Sequence, residues 1–377
     1  MNGEVPMTLM MLPNDLVLNC LARVSRLYYP ILSLVSHRFR SILASTELYQ
    51  IRSLLGQTES CLYVCLNIPS YKSPQQWFTL CQIPNSSKKV LIPVTSPNSP
   101  STYHSDFARV GSNIYAIGGF IKDDNASSSA SIMVMDCRSH TWHEAPSMRV
   151  ARESPSACVL DGKIYVIGGS NVLDTTHWVE VFDTVHKTWE FGSSSSPGEK
   201  ICSGFRYQSV GYDGNVYVKC FERPDVTYKL NKGKWRAADF AINRGWWCSS
   251  SDNPSSYCVI ENVLYCYSDG MINWYNPDQK CWTSLKGLNE LKNTLISLDY
   301  RYVDAKVADY GGKLAVSWKE NVSINEYHLH GKVVYCGVIV LEKHHGNIWG
   351  TLEWYDAVYA TTEPDVYDVA HVLAVTL

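Results

Sequence analysis

Residues 109–142 read RVGSNIYAIGGFIKDDNASSSASIMVMDCRSHTW, and the same succession returns as DGKIYVIGG over 161–169 and VEVFDTVHKTW over 179–189. Tyr115, Gly118, Gly119, Asp136 and Trp142 recur as Tyr165, Gly168, Gly169, Asp183 and Trp189, offset by 50 residues at the first three and 47 at the last two. Self-similarity at such a period is the mark of stacked structural units. Weaker copies follow, with Trp235 and Trp282 at steps of 46 and 47, and Tyr217 and Tyr265 at steps of 52 and 48. In a fifth copy Gly311 to Leu314 repeats Asp161 to Ile164, and Val338 to Leu341 lead to Trp349. The 67-residue step from Trp282 to Trp349 predicts insertions in loops.

Each copy reads as four strands. Ile114 to Ile117 and Ile164 to Ile167 are apolar on both faces, as strands sandwiched between neighbouring sheets must be. The Gly-Gly pairs end them, permitting positive φ and a close backbone approach. Asp136, Asp183 and Asn276 each stand six residues before a Trp, which fits a hairpin turn followed by a strand that packs between units. No unit can bury both faces alone, so the units stack, and radial closure removes exposed edges. The expected fold is mainly β, a β-propeller. These residues resemble kelch repeats, from Tyr103 to Trp354; in place of Gly-Gly the later copies carry Cys220-Phe221, Ser268-Asp269 and Trp318-Lys319.

Half a repeat precedes the first copy, with strands at Leu62 to Leu66 and Trp77 to Leu80. Pairing them with Leu352 to Ala360 would make a sixth blade split between the two ends of the chain. The expected divisions are a helical module over 10–56, a propeller over 60–360 and a C-terminal tail over 361–377.

Residues 12–55 have helical periodicity instead. Val17, Cys20, Leu21 and Val24 fall on one face, Ile31, Leu34 and Val35 on another, and Phe39, Ile42, Leu43 and Leu48, Ile51, Leu55 on two more. A segment of this size is rarely stable alone, so one apolar face is expected to dock on a partner. The stretch from Leu12 to Arg52 resembles the F-box motif, through Leu12, Pro13, Leu16, Leu21, Leu32, Val35, Ser36, Phe39 and Arg40. That resemblance implies binding to the Skp-type adaptor of a cullin-RING ubiquitin ligase through Leu12, Pro13, Leu16, Leu32, Val35, Ser36 and Phe39, with Leu21, Ile42 and Leu43 turned inward.

Composition narrows the remaining classes. A net charge of -3 without a Lys/Arg cluster lacks the footprint of a nucleic-acid or membrane-surface binder. Thirteen cysteines, an odd number with no CxxC pair, are read as buried reduced thiols. The opening MNGEVPMTLMML has no basic start and its apolar run is cut by Pro13 and Asp15, so it is not read as a signal peptide. The expected location is the cytoplasm, the nucleus or both. No catalytic motif, cofactor motif or metal-ligand spacing stands in the sequence, and no catalytic residue, metal or cofactor is expected.

The family resemblance places the residue ahead of each first strand at the propeller mouth, which gives Tyr103, Ser154, Arg206 and Asp304. Arg109, Arg149 and Arg152 would add a cationic side, and Trp246 an aromatic anchor. Both motifs together resemble the plant F-box/kelch-repeat proteins, which implies a non-catalytic receptor holding a protein substrate for ubiquitination. A kelch scaffold that binds a partner without its degradation is the alternative, and a propeller enzyme a more distant one.

Overall fold

A computed structural model describes residues 11–68, 75–96, 98–100, 103–121, 127–170, 177–192, 207–220, 225–237, 256–295, 303–323, 330–361 and 368–377. Six four-stranded antiparallel sheets form the blades of a propeller, and short helices precede them. The apolar runs explain the sheets: Ile114 to Ile117 and Ile164 to Ile167 are all buried, covered by a neighbouring blade on each face. Asp136, Asp183 and Asn276 accept backbone hydrogen bonds from two or three residues further on, at Arg138, at Val185 and His186, and at Asp278 and Gln279. These turns aim Trp142 and Trp189 inward, and the Trp189 indole donates to the Pro146 carbonyl of the preceding blade at 2.7 Å.

The glycine pairs serve both expected purposes. Gly118, Gly119, Gly168 and Gly169 all have positive φ. A Cβ on Gly118 would lie 2.8 Å from the Arg152 carbonyl, and one on Gly169 2.7 Å from the Pro155 nitrogen. Where the pair is missing, the chain does something else. At Asp269-Gly270 it turns at once into the next strand, and at Trp318-Lys319 the strand Lys313–Ser323 runs straight on.

The first strand of each sheet lies innermost and bonds to its neighbours around the axis. Asp106 accepts from the Ala157 amide at 2.7 Å, Ser256 from the Val307 amide at 2.9 Å, and the Ser156 and Ser209 hydroxyls meet at 2.9 Å.

The sixth blade is split between the chain ends, but not by the strands expected. Its order is Asp368–Thr376, Ser60–Asn67, Gln75–Gln82, Lys89–Pro93, so the segment expected as a tail is the innermost strand. Leu352 to Ala360 belongs to Asn347–Thr361, the outermost strand of the fifth blade. The reason is patterning: Val369, Val372, Ala374 and Val375 are buried, whereas Asn347–Thr361 covers one face only. The long step before Trp349 is likewise no simple loop insertion, since the fifth blade's second to fourth strands run to 11, 15 and 15 residues and a short helix, Asn289–Thr294, sits before it.

Four helices, α1 (Asn14–Ala22), α2 (Tyr29–Leu32), α3 (His37–Leu43) and α4 (Thr46–Leu54), pack under the sixth and first blades. Ser36 and Ser45 cap α3 and α4 by accepting from the amides three residues on. The Arg52 guanidinium, 1% exposed, donates to the Ala22 and Val24 carbonyls at the end of α1 and pairs with Glu59 at 3.3 Å. Arg26 donates to the Tyr49 hydroxyl and, at 3.1 Å, to the Cys137 carbonyl in the first blade's outer turn. Tyr63 donates to the same carbonyl and meets His140 at 2.9 Å.

Two expectations follow. Ending the chain at residue 366 removes the innermost strand, and urea denaturation followed by tryptophan fluorescence should show no cooperative transition; a midpoint equal to that of the intact protein would show that closure contributes nothing. The second concerns pH. Burial first, then the Arg26 charge, push the His140 imidazole from 6.5 down to about 3. Between those values the unfolded chain takes up a proton that the folded chain refuses, so stability falls as pH falls from about 6.5 towards 3. Asp106, raised by burial to about 6, works in the opposite sense. The His140 contribution is therefore isolated by His140→Gln, which should flatten the dependence of the urea midpoint on pH relative to the parent chain.

Candidate functional site

The propeller has two unlike faces. Innermost strands begin on one, where the connectors between blades and between second and third strands lie, and end on the other in tight turns such as Asp161-Gly162 and Gly311-Gly312. The helical module sits on the tight-turn face, because it runs through Glu59 into the end of Ser60–Asn67 that pairs with Thr376. A cleft of about 1230 Å³ separates part of the module from the sixth blade, lined by Arg26, Leu34, Arg40, Lys89, Tyr310 and Trp354 among others.

Leu16 on α1 is 51% exposed, and beyond α2 Leu34, at the border of the cleft, is 76% and Val35 58% exposed. Arg38 draws these parts together, donating from the start of α3 to the Leu12 carbonyl at 2.6 Å and to the Asn14 carboxamide oxygen at 2.8 Å. Pro13 is exposed, and Leu12 and Leu32 are half-buried against the core. The sequence reading placed Leu34 on a helical stripe. Instead α2 ends at Leu32, and residues 33–35 form a turn that pushes Leu34 and Val35 outward.

Two expected docking residues do other work. Phe39 is 3% exposed, inside the core with Val17 and Leu48, because the Ser36 cap starts α3 in a phase that turns residue 39 inward. Ser36 itself is half-buried, with its hydroxyl engaged in that cap. Leu21, Ile42 and Leu43 are buried, as expected.

On the connector face, Tyr103, Ser154 and Asp304 precede innermost strands. Tyr103 bridges to Phe120, Ser154 lies against Gly169, and Asp304 pairs with Lys306 at 2.9 Å. Arg206 and Trp246 lie outside the described residues. Two arginines do not join this mouth. Arg109 stands at the opposite end of its strand and faces Asp309 at 3.8 Å. Arg152 is fully buried: it donates to the carbonyls of Gly168, Trp178 and His177 and pairs with Glu180 at 3.1 Å, both side chains 0% exposed. Glu180 also accepts from the Arg149 and Val150 amides. That pair fastens the crossing from the first blade to the second. Arg149, expected beside Arg109 and Arg152, is exposed, its guanidinium 4.6 Å from the centre of the Phe191 ring, which His177 meets edge-on.

Comparison with known proteins extends over the whole chain. The F-box domain model matches residues 9–51, and the model described as "FKB95, Kelch-repeats domain" matches residues 77–359. The chain is 50% identical over 376 residues to F-box/kelch-repeat protein At4g33900 of Arabidopsis thaliana, covering 96% of this chain and 95% of that protein. It is 52% identical over 369 residues to the putative F-box/kelch-repeat protein At3g43710 of the same plant, covering 97% and 93%. Among solved structures it is similar to one titled "Structure of YjhT", at 10% identity and a TM-score of 0.45 over 73% of this chain and 91% of that one.

Burial of the Arg152–Glu180 pair gives a test of its role. Removing one partner leaves an uncompensated buried charge, so Glu180→Ala should cost about 3–5 kcal/mol in urea denaturation. An exposed mouth residue would cost far less, and a loss below about 0.5 kcal/mol would return Arg152 to the surface.

Proposed function

Because this chain belongs to the F-box/kelch-repeat proteins, we propose that it is the substrate-recognition subunit of an SCF-type ubiquitin ligase, working in the cytoplasm, the nucleus or both. The observation that carries this reading is the exposure of three large apolar side chains, Leu16, Leu34 and Val35, on a module fixed to the face away from the blade connectors. Exposed apolar surface of this kind marks interaction sites, and a Skp-type adaptor is the partner that the module's family implies. The connector face is then free for a protein substrate, and loops there vary without disturbing the blades.

The chain's own contribution is position. Holding a substrate beside a ubiquitin-charged enzyme turns an encounter between separate molecules into a reaction at high effective concentration. No bond need be made or broken by a residue of this chain. Leu16, Leu34 and Val35 supply the centre of the adaptor contact in this reading, with Leu12, Pro13 and Leu32 at its edge. Tyr103, Ser154 and Asp304 belong to the substrate face in this reading.

Calorimetry with a purified Skp-type adaptor tests the reading. The intact chain should bind, and Leu34→Asp/Val35→Asp should weaken binding by at least about tenfold per residue while leaving the propeller's near-ultraviolet circular dichroism unchanged. A folded intact chain that fails to bind would overturn the ligase assignment.

A further inference from the structure

The helices do not own their core. Val17, Leu21, Phe39 and Leu48 belong to one continuous cluster with Cys61, Tyr63 and Trp77 of the sixth blade, Phe107, Met135 and Trp142 of the first, and Val375 of the closing strand. Four short helices of this length cannot bury enough apolar surface to hold a fold by themselves. The missing half comes from the propeller, so an intramolecular contact satisfies a need that would otherwise wait for a partner.

One cation crosses the seam. Arg26, 8% exposed, lies over the rings of Tyr29 and Tyr49 at 5.5 and 5.1 Å, and its terminal nitrogens are engaged by the Tyr49 hydroxyl and the Cys137 carbonyl. The Tyr49 hydroxyl also reaches the Arg138 carbonyl at 3.1 Å, again in the blade. Glu59, at the junction itself, accepts from the Arg26 amide at 2.7 Å and pairs with Arg52. Polar groups buried this way are costly to leave without partners. A module that swung away would expose apolar surface and break these bonds at once, with no stable halfway arrangement.

We infer that the helical module and the propeller open and close as one cooperative unit, bolted by Arg26 to the first blade's outer turn, so that Leu16, Leu34 and Val35 hold their docking arrangement before any adaptor arrives. The last clause rests on the functional reading above; the cooperativity does not. A preformed face avoids the loss of affinity that a partly populated binding state imposes.

Hydrogen exchange by mass spectrometry on the full chain tests it, without adaptor. In the parent protein the slowest amides of α1 and α4 should exchange at the rate of the slowest amides in the first and second blades, through global opening. Arg26→Lys keeps the charge but loses the forked geometry, and Tyr49→Phe removes the hydroxyl alone. Each should speed exchange in α1 and α4 by at least about tenfold. The third blade should speed up by the same factor, because a single unit loses stability as a whole; a third blade left unchanged while the module speeds up would mark release of the module alone and overturn the inference. Exchange in α1 and α4 far faster than in the blades of the parent protein, or module protection unmoved by both substitutions, would overturn the inference. Adaptor calorimetry is a separate readout: exchange as expected without adaptor binding would count against the ligase assignment alone.

Discussion

A sheet that is apolar on both faces cannot exist in water by itself, and that constraint organises this protein. Each blade must be covered twice, and six blades satisfy the demand only by closing on themselves. The closing contact is therefore worth more than its length implies, because strand Asp368–Thr376 both pairs with Ser60–Asn67 and lines the axis beside the first and fifth blades. Hydrogen bonds between innermost strands, such as Asp106 to the Ala157 amide, repeat the same idea at each seam. The helical module extends it downward, since the cluster under the first and sixth blades is also the cluster inside the helices.

Periodic features were legible in the sequence, and features made by distant residues were not. The Tyr, Gly-Gly, Asp and Trp series marked the first two blades because each residue is required by a local geometry: positive φ, close approach, a side chain capping its own turn. The innermost strand of the sixth blade carries no such series, only a short apolar run in which Val369, Val372, Ala374 and Val375 are buried without regular alternation, so it reads as a tail. Arg152 was misread for a related reason. Its partner Glu180 lies on another strand, 28 residues along, and nothing near Arg152 announces a buried carboxylate.

The helical segment shows a third kind of limit. A family motif marks which positions matter without separating those that face a partner from those that hold the helices up. Phe39 is buried while Leu34 and Val35 are exposed, and only the end of α2 at Leu32, with the cap at Ser36, decides which is which. On the connector face the motif reaches less far still: Tyr103, Ser154 and Asp304 are ordered by backbone or ionic contacts of their own.

Building one blade from both chain ends also sets a schedule for synthesis. As the chain emerges, blades one to five can form in succession from neighbouring residues, while Ser60–Asn67 waits without its inner partner until residues 368–376 have been made. Val375 belongs to the core that the helices share, so the module too is incomplete until that moment. Helices translated before any blade are thus among the last parts to reach their final packing. A chain ended before residue 368 lacks both the innermost strand of the sixth blade and part of the helices' own core.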